Sequence, residues 1–228
     1  MLTTHALDFA ATIVDLSAVA VFAVTGALAA SRKEMDVFGF IMLGTSVGIG
    51  GGTVRDVLLG RLPVFWVTQP SYVLVCVLVS VVVFFTAHIP QSRYRSLLWF
   101  DAVGLSLVAV AGADKGLAAS DSATVALVMA AITGSFGGII RDVLSGEVPL
   151  LLRREVYVTA ALAGAAIFLM AYGLGLPRWA ALTAGAVVCF VVRGLAIHYH
   201  WSFPTYRPRP GRSLAEIEAA ETSRREHE

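Results

Sequence analysis

Long apolar segments follow one another along almost the whole chain, and this succession constrains the fold more than any other feature. A helix needs about 20 mostly apolar residues to cross the hydrocarbon core of a bilayer. The predicted spans are Asp8–Ala30, Val37–Leu59, Ser71–Ala87, Leu97–Leu117, Ala123–Leu144, Val156–Tyr172 and Trp179–His198. We therefore predict an all-α integral membrane protein with seven transmembrane helices.

The composition agrees with lipid as the outer solvent. Only 14% of the 228 residues are charged and 57% are hydrophobic, whereas a soluble domain of average make-up is about a quarter charged. Too few polar residues remain to cover a water-facing surface. Cys76 and Cys189 both lie inside apolar segments, which gives no support to a disulfide framework.

Lysine and arginine are distributed unevenly between the links that join the spans. One side holds Arg32, Lys33, Arg93, Arg95, Arg153, Arg154 and the arginines of the tail, and the other holds Arg61, Lys115 and Arg178. Basic residues accumulate in short cytoplasmic loops. We expect a multi-pass protein of the cell (inner) membrane with its N-terminus outside and its C-terminus in the cytoplasm.

The sequence repeats itself with an offset of 86 residues. The segment from Asp15 to Pro63 aligns without a gap on the segment from Asp101 to Pro149, and the matches include two aspartates, an arginine and five glycines. Each copy holds three spans, an odd number, so the second copy would cross the membrane in the opposite sense. We predict one domain over 8–198, with repeats of about 8–88 and 97–173, a seventh helix at about 179–198 and a cytoplasmic tail at 199–228.

Glycine-rich runs occupy the middle of the second and fifth spans. Each glycine costs a helix roughly 1 kcal/mol relative to alanine, so we expect both helices to break there. Irregular backbone at this depth is tolerated only inside protein or beside a wet cavity, where carbonyls and hydroxyls can replace part of a cation's hydration shell. The predicted pore-lining residues are Thr45, Ser46, Gly48, Gly50, Gly51, Gly52, Thr133, Gly134, Ser135, Phe136, Gly137 and Gly138.

Close packing is the alternative explanation of these runs, because small residues let helices approach each other in lipid. The runs lie at equivalent positions of the two copies, and Arg-Asp follows each of them. This repetition favours a permeation path over packing alone. Phe136 is the predicted apolar gate.

Two arginines lie one to two turns beyond the glycine runs, within predicted spans. A charge at such depth is costly and by default marks function, with a partner nearby. By height in the membrane we expect Asp15 to pair with Arg55 and Asp101 with Arg141. These pairs would act as clamps that brace the helices, as part of a gate, or as both.

The aspartates that follow these arginines have a separate predicted role. Asp56 lies three residues after Thr53 and could cap a second half-helix, and Asp142 occupies the equivalent position without the threonine. His198 and His200 are two residues apart and so on different helix faces, which disfavours a metal site. We find no nucleophile–base arrangement, phosphate loop or nucleic-acid patch, and expect no enzyme, cofactor or nucleic-acid partner.

The doubled motif resembles a known family. Gly50-Gly51-Gly52-Thr53-Val54-Arg55-Asp56 with its continuation to Trp66, and the echo from Gly137 to Pro149, are similar to prokaryotic members of the trimeric intracellular cation channel family. The resemblance implies a seven-helix protomer, a homotrimer and potassium-preferring conduction, with a pore in each protomer between kinked second and fifth helices. The Lys-Glu-Val motif of the eukaryotic members is not found, so lipid regulation is not implied.

Two function classes remain open at this stage. The leading hypothesis is a channel for potassium or sodium that partly dehydrates at the glycine runs. The alternative is a carrier for a small zwitterion such as glycine, since bacterial relatives of this type are also labelled glycine transporters. A non-conducting scaffold would leave the mirrored glycine runs unexplained.

Overall fold

The protein is all-helical in the part of the chain that the structure describes. The computed structural model describes residues 2–90, 92–153, 155–202 and 211, with side chains from residue 12 onward. The helices are α1 (Leu2–Arg32), α2 (Val37–Leu58), α3 (Phe65–Thr68), α4 (Ser71–Thr86), α5 (Arg93–Ser120), α6 (Ala123–Leu144), α7 (Val158–Gly173) and α8 (Arg178–Tyr199). Arg154 and the predicted tail, apart from its first residues and Gly211, lie outside the described residues.

Each predicted span corresponds to one of the longer helices, and the bounds differ by at most six residues, at the start of α1. Two short elements were not predicted. The four-residue helix α3 and a 3-10 turn at Leu150–Leu152 occupy the Pro-containing links that follow α2 and α6. Hydropathy misses them because neither is long enough to show a helical period.

Five of the helices are long and apolar enough to cross a membrane, while α4 and α7 are apolar but only 16 residues long. At 1.5 Å per residue these two measure about 24 Å, less than the ~30 Å hydrocarbon core. Large apolar side chains cover the outside of the bundle, among them Phe38, Phe85 and Leu174, which are 72%, 67% and 79% exposed. An apolar surface on this scale suits lipid contact and not water.

The helices form two packed groups that meet along α5, α2 and α6. One apolar core is built mainly from α1, α2 and α4 and includes Phe22, Leu43 and Val47. The other is built from α5, α6, α7 and α8 and includes Leu105 and Phe168. Contact between α2 and α6 joins the groups.

Ion pairs identify the two ends of the bundle. At one end Arg32 contacts Glu147, and Arg93 donates a hydrogen bond to the Ser31 carbonyl. We call this end the basic face, because it carries Arg32, Lys33, Arg93, Arg95 and Arg153. At the other end Lys115 contacts Asp15 and Arg178 contacts Asp114. We call this end the opposite face. The distribution of basic residues predicted from the links is thus present in the structure.

The C-terminal ends of α2 and α6 have similar backbone geometry. They lie at different ends of the bundle. The amides of Gly60 and Gly146 donate to the carbonyls of Val57 and Val143, at 3.1 Å in both cases. Both glycines have positive φ, +64° and +66°, a conformation that L side chains rarely adopt. At these two helix ends, residues that match at the offset of 86 also share their backbone geometry.

The predicted break in the glycine runs is wrong. Both α2 and α6 are continuous α-helices from first to last residue. The structure supports the packing role of the glycines instead, because α2 and α6 cross with their backbones in contact. A Cβ on Gly51 would lie 2.5 Å from the Thr133 carbonyl oxygen, and one on Gly137 would lie 3.1 Å from the Val47 carbonyl oxygen.

We predict that Gly51→Ala separates α2 from α6 and lowers the free energy of unfolding by about 1–3 kcal/mol, the usual cost of overpacking. Its neighbour is the matched control. A Cβ on Gly50 meets only the end of the flexible Ile140 side chain, so Gly50→Ala should cost less than about 1 kcal/mol. Thermal unfolding in detergent measures both. Equal losses of stability in the two variants would contradict the close contact between α2 and α6 at Gly51.

Candidate permeation site

A cavity enters the bundle from the opposite face and ends at the α2–α6 crossing. It leaves about 40 Å³ for the centres of water molecules, which is room for about three. The lining residues are Val14, Asp15, Ala18, Val19, Phe22, Val47, Gly48, Gly51, Gly52, Arg55, Phe65, Tyr72, Leu107, Val108, Ala111, Lys115, Thr133 and Gly137. Four of them are glycines, and their missing side chains leave the space free.

Five of the twelve predicted pore residues line this cavity: Gly48, Gly51, Gly52, Thr133 and Gly137. Thr133 is fully buried, and its hydroxyl oxygen has no hydrogen bond of standard geometry in the described part of the chain. This hydroxyl oxygen faces α5, where a Cβ on Gly112 would lie 2.7 Å from it, whereas the Thr133 carbonyl oxygen faces Gly51 at the end of the cavity.

The other predicted pore residues lie elsewhere. Gly50 faces Ile140, Gly134 faces Leu105 and Gly138 faces the Tyr157 hydroxyl. The Ser135 hydroxyl donates to the Ala131 carbonyl of its own helix, at 2.6 Å. Thr45, Ser46 and Phe136 are half-buried and are not among the cavity residues.

Phe22 occupies the place that was predicted for Phe136. Its ring is 2% exposed and lines the cavity, and it lies 3.4 Å from the position of a Cβ on Gly137. One signal in the sequence could have indicated Phe22, because it is a large apolar residue in the middle of the same span as Asp15. The repeat did not indicate it, because its equivalent in the second copy is Val108.

The expected pair of Asp15 and Arg55 is not formed. Asp15 accepts a hydrogen bond from the Lys115 ammonium at 3.0 Å, with both side chains partly exposed at the cavity. The Arg55 guanidinium instead donates from Nε and Nη2 to Oδ1 of its neighbour Asp56, at 2.8 and 2.7 Å. Lys115 was missed because its equivalent in the first copy is Ala29, although both it and Asp15 were predicted near the same side of the membrane.

The second expected pair is confirmed. The Arg141 guanidinium donates to Asp101 Oδ1 at 2.6 Å and to Asp142 Oδ1 at 2.8 Å. Arg141 and Asp101 are both 0% exposed. Two carboxylates thus share one buried arginine, which is the compensation that a fully buried charge requires.

Asp56 and Asp142 anchor the loops that follow their helices. The Phe65 amide donates to Asp56 Oδ2 at 3.0 Å, and the Leu150 amide donates to Asp142 Oδ2 at 2.7 Å. These amides open α3 and the 3-10 turn, so each aspartate joins an arginine to the next short helix. The predicted capping of a half-helix is wrong, because no half-helix exists.

Aromatic residues near Arg55 complete the cavity wall. Phe65 lies under the Arg55 guanidinium, with 5.8 Å from the carbon to the ring centroid, and packs edge-on against Tyr72 at 4.8 Å. The Trp66 indole donates to the Thr53 hydroxyl at 3.0 Å. Sequence analysis assigned no role in the cavity to Phe65 or Tyr72.

Comparison with known proteins identifies this architecture. The family model described as glycine transporter matches residues 12–88 and again residues 98–173. A trimeric intracellular cation (TRIC) channel orthologue from Rhodobacter sphaeroides is 53% identical, with a TM-score of 0.82 over 84% of this chain and 99% of that chain. The chain belongs to the prokaryotic TRIC family. The two matches start 86 residues apart (98 − 12), the offset of the internal repeat.

Further members of the TRIC family agree with this assignment. A prokaryotic TRIC channel crystallised in 0.5 M KCl is 30% identical, with a TM-score of 0.80 over 86% of this chain and 99% of that one. The inner membrane protein YadS of Escherichia coli is 38% identical over 84% of this chain and 94% of the relative. The TRIC fold, the apolar helices and these relatives make this chain a multi-pass inner-membrane protein.

We predict that the two repeat-equivalent aspartates, Asp15 and Asp101, differ in how much they contribute to the free energy of unfolding. Asp101→Asn removes a buried charged partner of Arg141 but leaves it bonded to Asp142, and should lower the free energy of unfolding by about 1.5–3 kcal/mol, the usual value of a hydrogen bond to a charged group. Asp15→Asn removes a partly exposed pair with Lys115 and should cost about 0–1 kcal/mol. Thermal unfolding of both variants in detergent tests this, and comparable losses would contradict the burial difference.

Proposed function

We propose that this protein is a channel that conducts monovalent cations, potassium in preference to sodium, through a pore in each protomer between α2 and α6. One observation carries the proposal: a water-sized cavity with a carboxylate at its mouth leads to the glycine crossing of α2 and α6. The similar solved structures, which are described as TRIC channels, support it. Such a protein is not an enzyme.

The described conformation corresponds to a closed channel. Room for about three waters does not accommodate a hydrated ion, and the backbones of Gly51 and Thr133 are in contact beyond the cavity. Conduction therefore requires α2 and α6 to move apart. Movement would let an ion reach the Thr133 carbonyl oxygen that faces Gly51, because oxygen ligands can replace part of the hydration shell of the ion.

The charges at the mouth limit how strongly the cavity attracts cations. Asp15 and Asp56 are each matched by a cation, Lys115 and Arg55 respectively. Because the charges in each pair cancel, a cation can approach without strong repulsion. For the same reason it meets no deep minimum of electrostatic energy that would hold it there. Selectivity among cations would then depend on the crossing, where the ion loses water.

The arrangement in the membrane follows from the same features. We propose seven spans in two inverted repeats, with the short helices α4 and α7 crossing where the bilayer thins to match them. The basic face would lie in the cytoplasm, which places the N-terminus outside. A homotrimer is proposed because the related channel from Rhodobacter sphaeroides is described as trimeric. Lipid would cover the remaining apolar surface.

A carrier for a small zwitterion such as glycine is the second candidate. The cavity carries the Asp15 carboxylate together with the Lys115 and Arg55 cations, so an ammonium and a carboxylate group would each find a partner. The family description names glycine. A carrier would have to expose this cavity alternately to the two sides of the membrane.

Recordings in planar bilayers discriminate between the two functions. The purified protein should give resolvable single-channel potassium currents, larger than those in sodium, because a pore carries many ions per opening. Proteoliposomes measured in parallel should show no saturable glycine uptake. Saturable glycine uptake without single openings would establish the carrier and contradict the channel.

Cysteine substitution tests whether the cavity belongs to the ion path. Ala111 lines the cavity on α5, and a cationic methanethiosulfonate reagent applied from the opposite face should block the current of Ala111→Cys. Ala118→Cys is the control, since Ala118 is exposed on the same helix and is not a cavity residue. The native Cys76 and Cys189 are buried, so the wild type should not respond. An unblocked Ala111→Cys channel would place the path elsewhere.

A further inference from the structure

The Phe22 ring lies at the inner end of the cavity. The cavity residues of α1 recur with the spacing of one helix face and are Val14, Asp15, Ala18, Val19 and Phe22. At 1.5 Å per residue, Phe22 lies about 10 Å from Asp15 and about 15 Å from Arg32 along the helix axis. Phe22 is therefore near the middle of the bundle, at the depth of the α2–α6 crossing.

Two glycine positions enclose this ring. A Cβ on Gly104 of α5 would lie 3.0 Å from Cε2, 3.1 Å from Cδ2 and 3.3 Å from Cζ of Phe22. A Cβ on Gly137 of α6 would lie 3.4 Å from both Cδ1 and Cε1. One edge of the ring thus faces α5 and the other edge faces α6. Because Phe22 is only 2% exposed, the ring fills the space between these two helices.

One turn beyond the ring, α1 packs directly on α2. A Cβ on Gly26 would lie 2.7 Å from the Leu43 carbonyl oxygen and 2.9 Å from the Gly44 Cα. Thr25, on the same turn of α1, is fully buried. The cavity therefore stops at Phe22 on its α1 side.

The internal repeat shows what the same position holds in the other half of the chain. The three residues at the ring and their equivalents at the offset of 86 are Phe22 and Val108, Gly104 and Ala18, and Gly137 and Gly51. All three equivalents line the cavity. The space beside the smaller valine is therefore open, whereas the phenylalanine ring fills the corresponding space.

Another phenylalanine of the same apolar core provides a comparison. Phe40 is 4% exposed and belongs to the core that contains Phe22. It packs edge-on against Phe84, with 5.1 Å between the ring centroids, and it is not a cavity residue. The two buried rings thus differ in their position relative to the cavity and not in their burial.

An apolar ring at the end of the cavity opposes the passage of an ion in two ways. It occupies the space that water would need, and hydrophobic constrictions close pores because water leaves them. It also offers no oxygen to replace the water that an ion loses, and an ion without such ligands is strongly disfavoured in an apolar environment.

We propose that the Phe22 ring is an apolar plug that closes the pore at the α2–α6 crossing, and that it leaves the space between Gly104 and Gly137 when the channel opens. This inference rests on the proposed channel function. Gly137 faces both the ring and the Val47 carbonyl oxygen, from which its Cβ would lie 3.1 Å away. Separation of α6 from α2 therefore also frees the ring.

Single-channel recording of Phe22→Val tests the plug. Valine is the residue at the repeat-equivalent position, and it lacks the ring. The ratio of open to closed time in potassium should rise roughly tenfold, because the packing that is lost was present only in the closed state. An unchanged or lower ratio in folded Phe22→Val protein would contradict the plug.

Phe40→Val is the matched control, because it makes the same change in the same core and away from the cavity. Both variants should lower the unfolding temperature, since each removes a buried ring. Only Phe22→Val should alter the ratio of open to closed time. Equal changes of this ratio in the two variants would show that Phe22 acts through core packing alone, and would overturn the proposal.

A second variant covers the case in which Phe22→Val fails to fold. Phe22→Val combined with Gly104→Ala reproduces the Val108 and Ala18 of the other half, and the added methyl group partly fills the space that the ring leaves. This double variant should fold and should open more readily than the wild type.

The outcomes separate this inference from the channel function. If the double variant gates like the wild type, or if neither variant folds, Phe22 is a structural residue and the plug is wrong, while potassium currents of the wild type would still support the channel. A wild type without potassium current would overturn the channel function and this inference with it.

Discussion

The contact between the backbones of α2 and α6 is the constraint on which the rest of the structure depends. Glycines at this crossing bring the helices so close that a Cβ at Gly51 would lie 2.5 Å from a carbonyl oxygen. This approach fixes where the cavity ends and sets the distance between the two halves of the repeat. Because helices in lipid gain no hydrophobic energy from association, close packing of small residues is a principal source of their cohesion. The crossing thus stabilises the bundle and closes the proposed path at the same point.

Residues that match at the offset of 86 form similar contacts at both ends of the bundle, and residues without such a match make the ends differ. Each half has an Arg-Asp pair that anchors a short helix through a backbone amide. Lys115 binds Asp15 at the mouth of the cavity at one end, while Arg141 holds Asp101 in a fully buried pair at the other. A chain built from two equal copies can therefore be open at one end and closed at the other, as a gated path requires.

The sequence predicted the helices and one of the two ion pairs, because both depend on local or repeated signals. Hydropathy located the spans, and matching height in the membrane linked Asp101 to Arg141. The broken helices were wrong because the penalty of roughly 1 kcal/mol per glycine is outweighed where the missing side chains allow two helices to touch. Asp15 was assigned to Arg55 by height in the membrane, and Lys115 was overlooked because its equivalent in the first copy is Ala29. Phe22 could not be chosen over Phe136, since which face of a helix meets a cavity depends on tertiary packing.

A disulfide across the crossing tests most directly whether α2 and α6 must separate for ions to pass. An ideal Cβ on Gly50 lies 3.8 Å from Ile140 Cγ1, so Gly50→Cys with Ile140→Cys places two sulfurs within bonding reach. In a background without Cys76 and Cys189, oxidation should abolish the potassium current, reduction should restore it, and each single variant should be insensitive to both treatments. A current that persists after complete oxidation would show that ions pass without movement at the crossing.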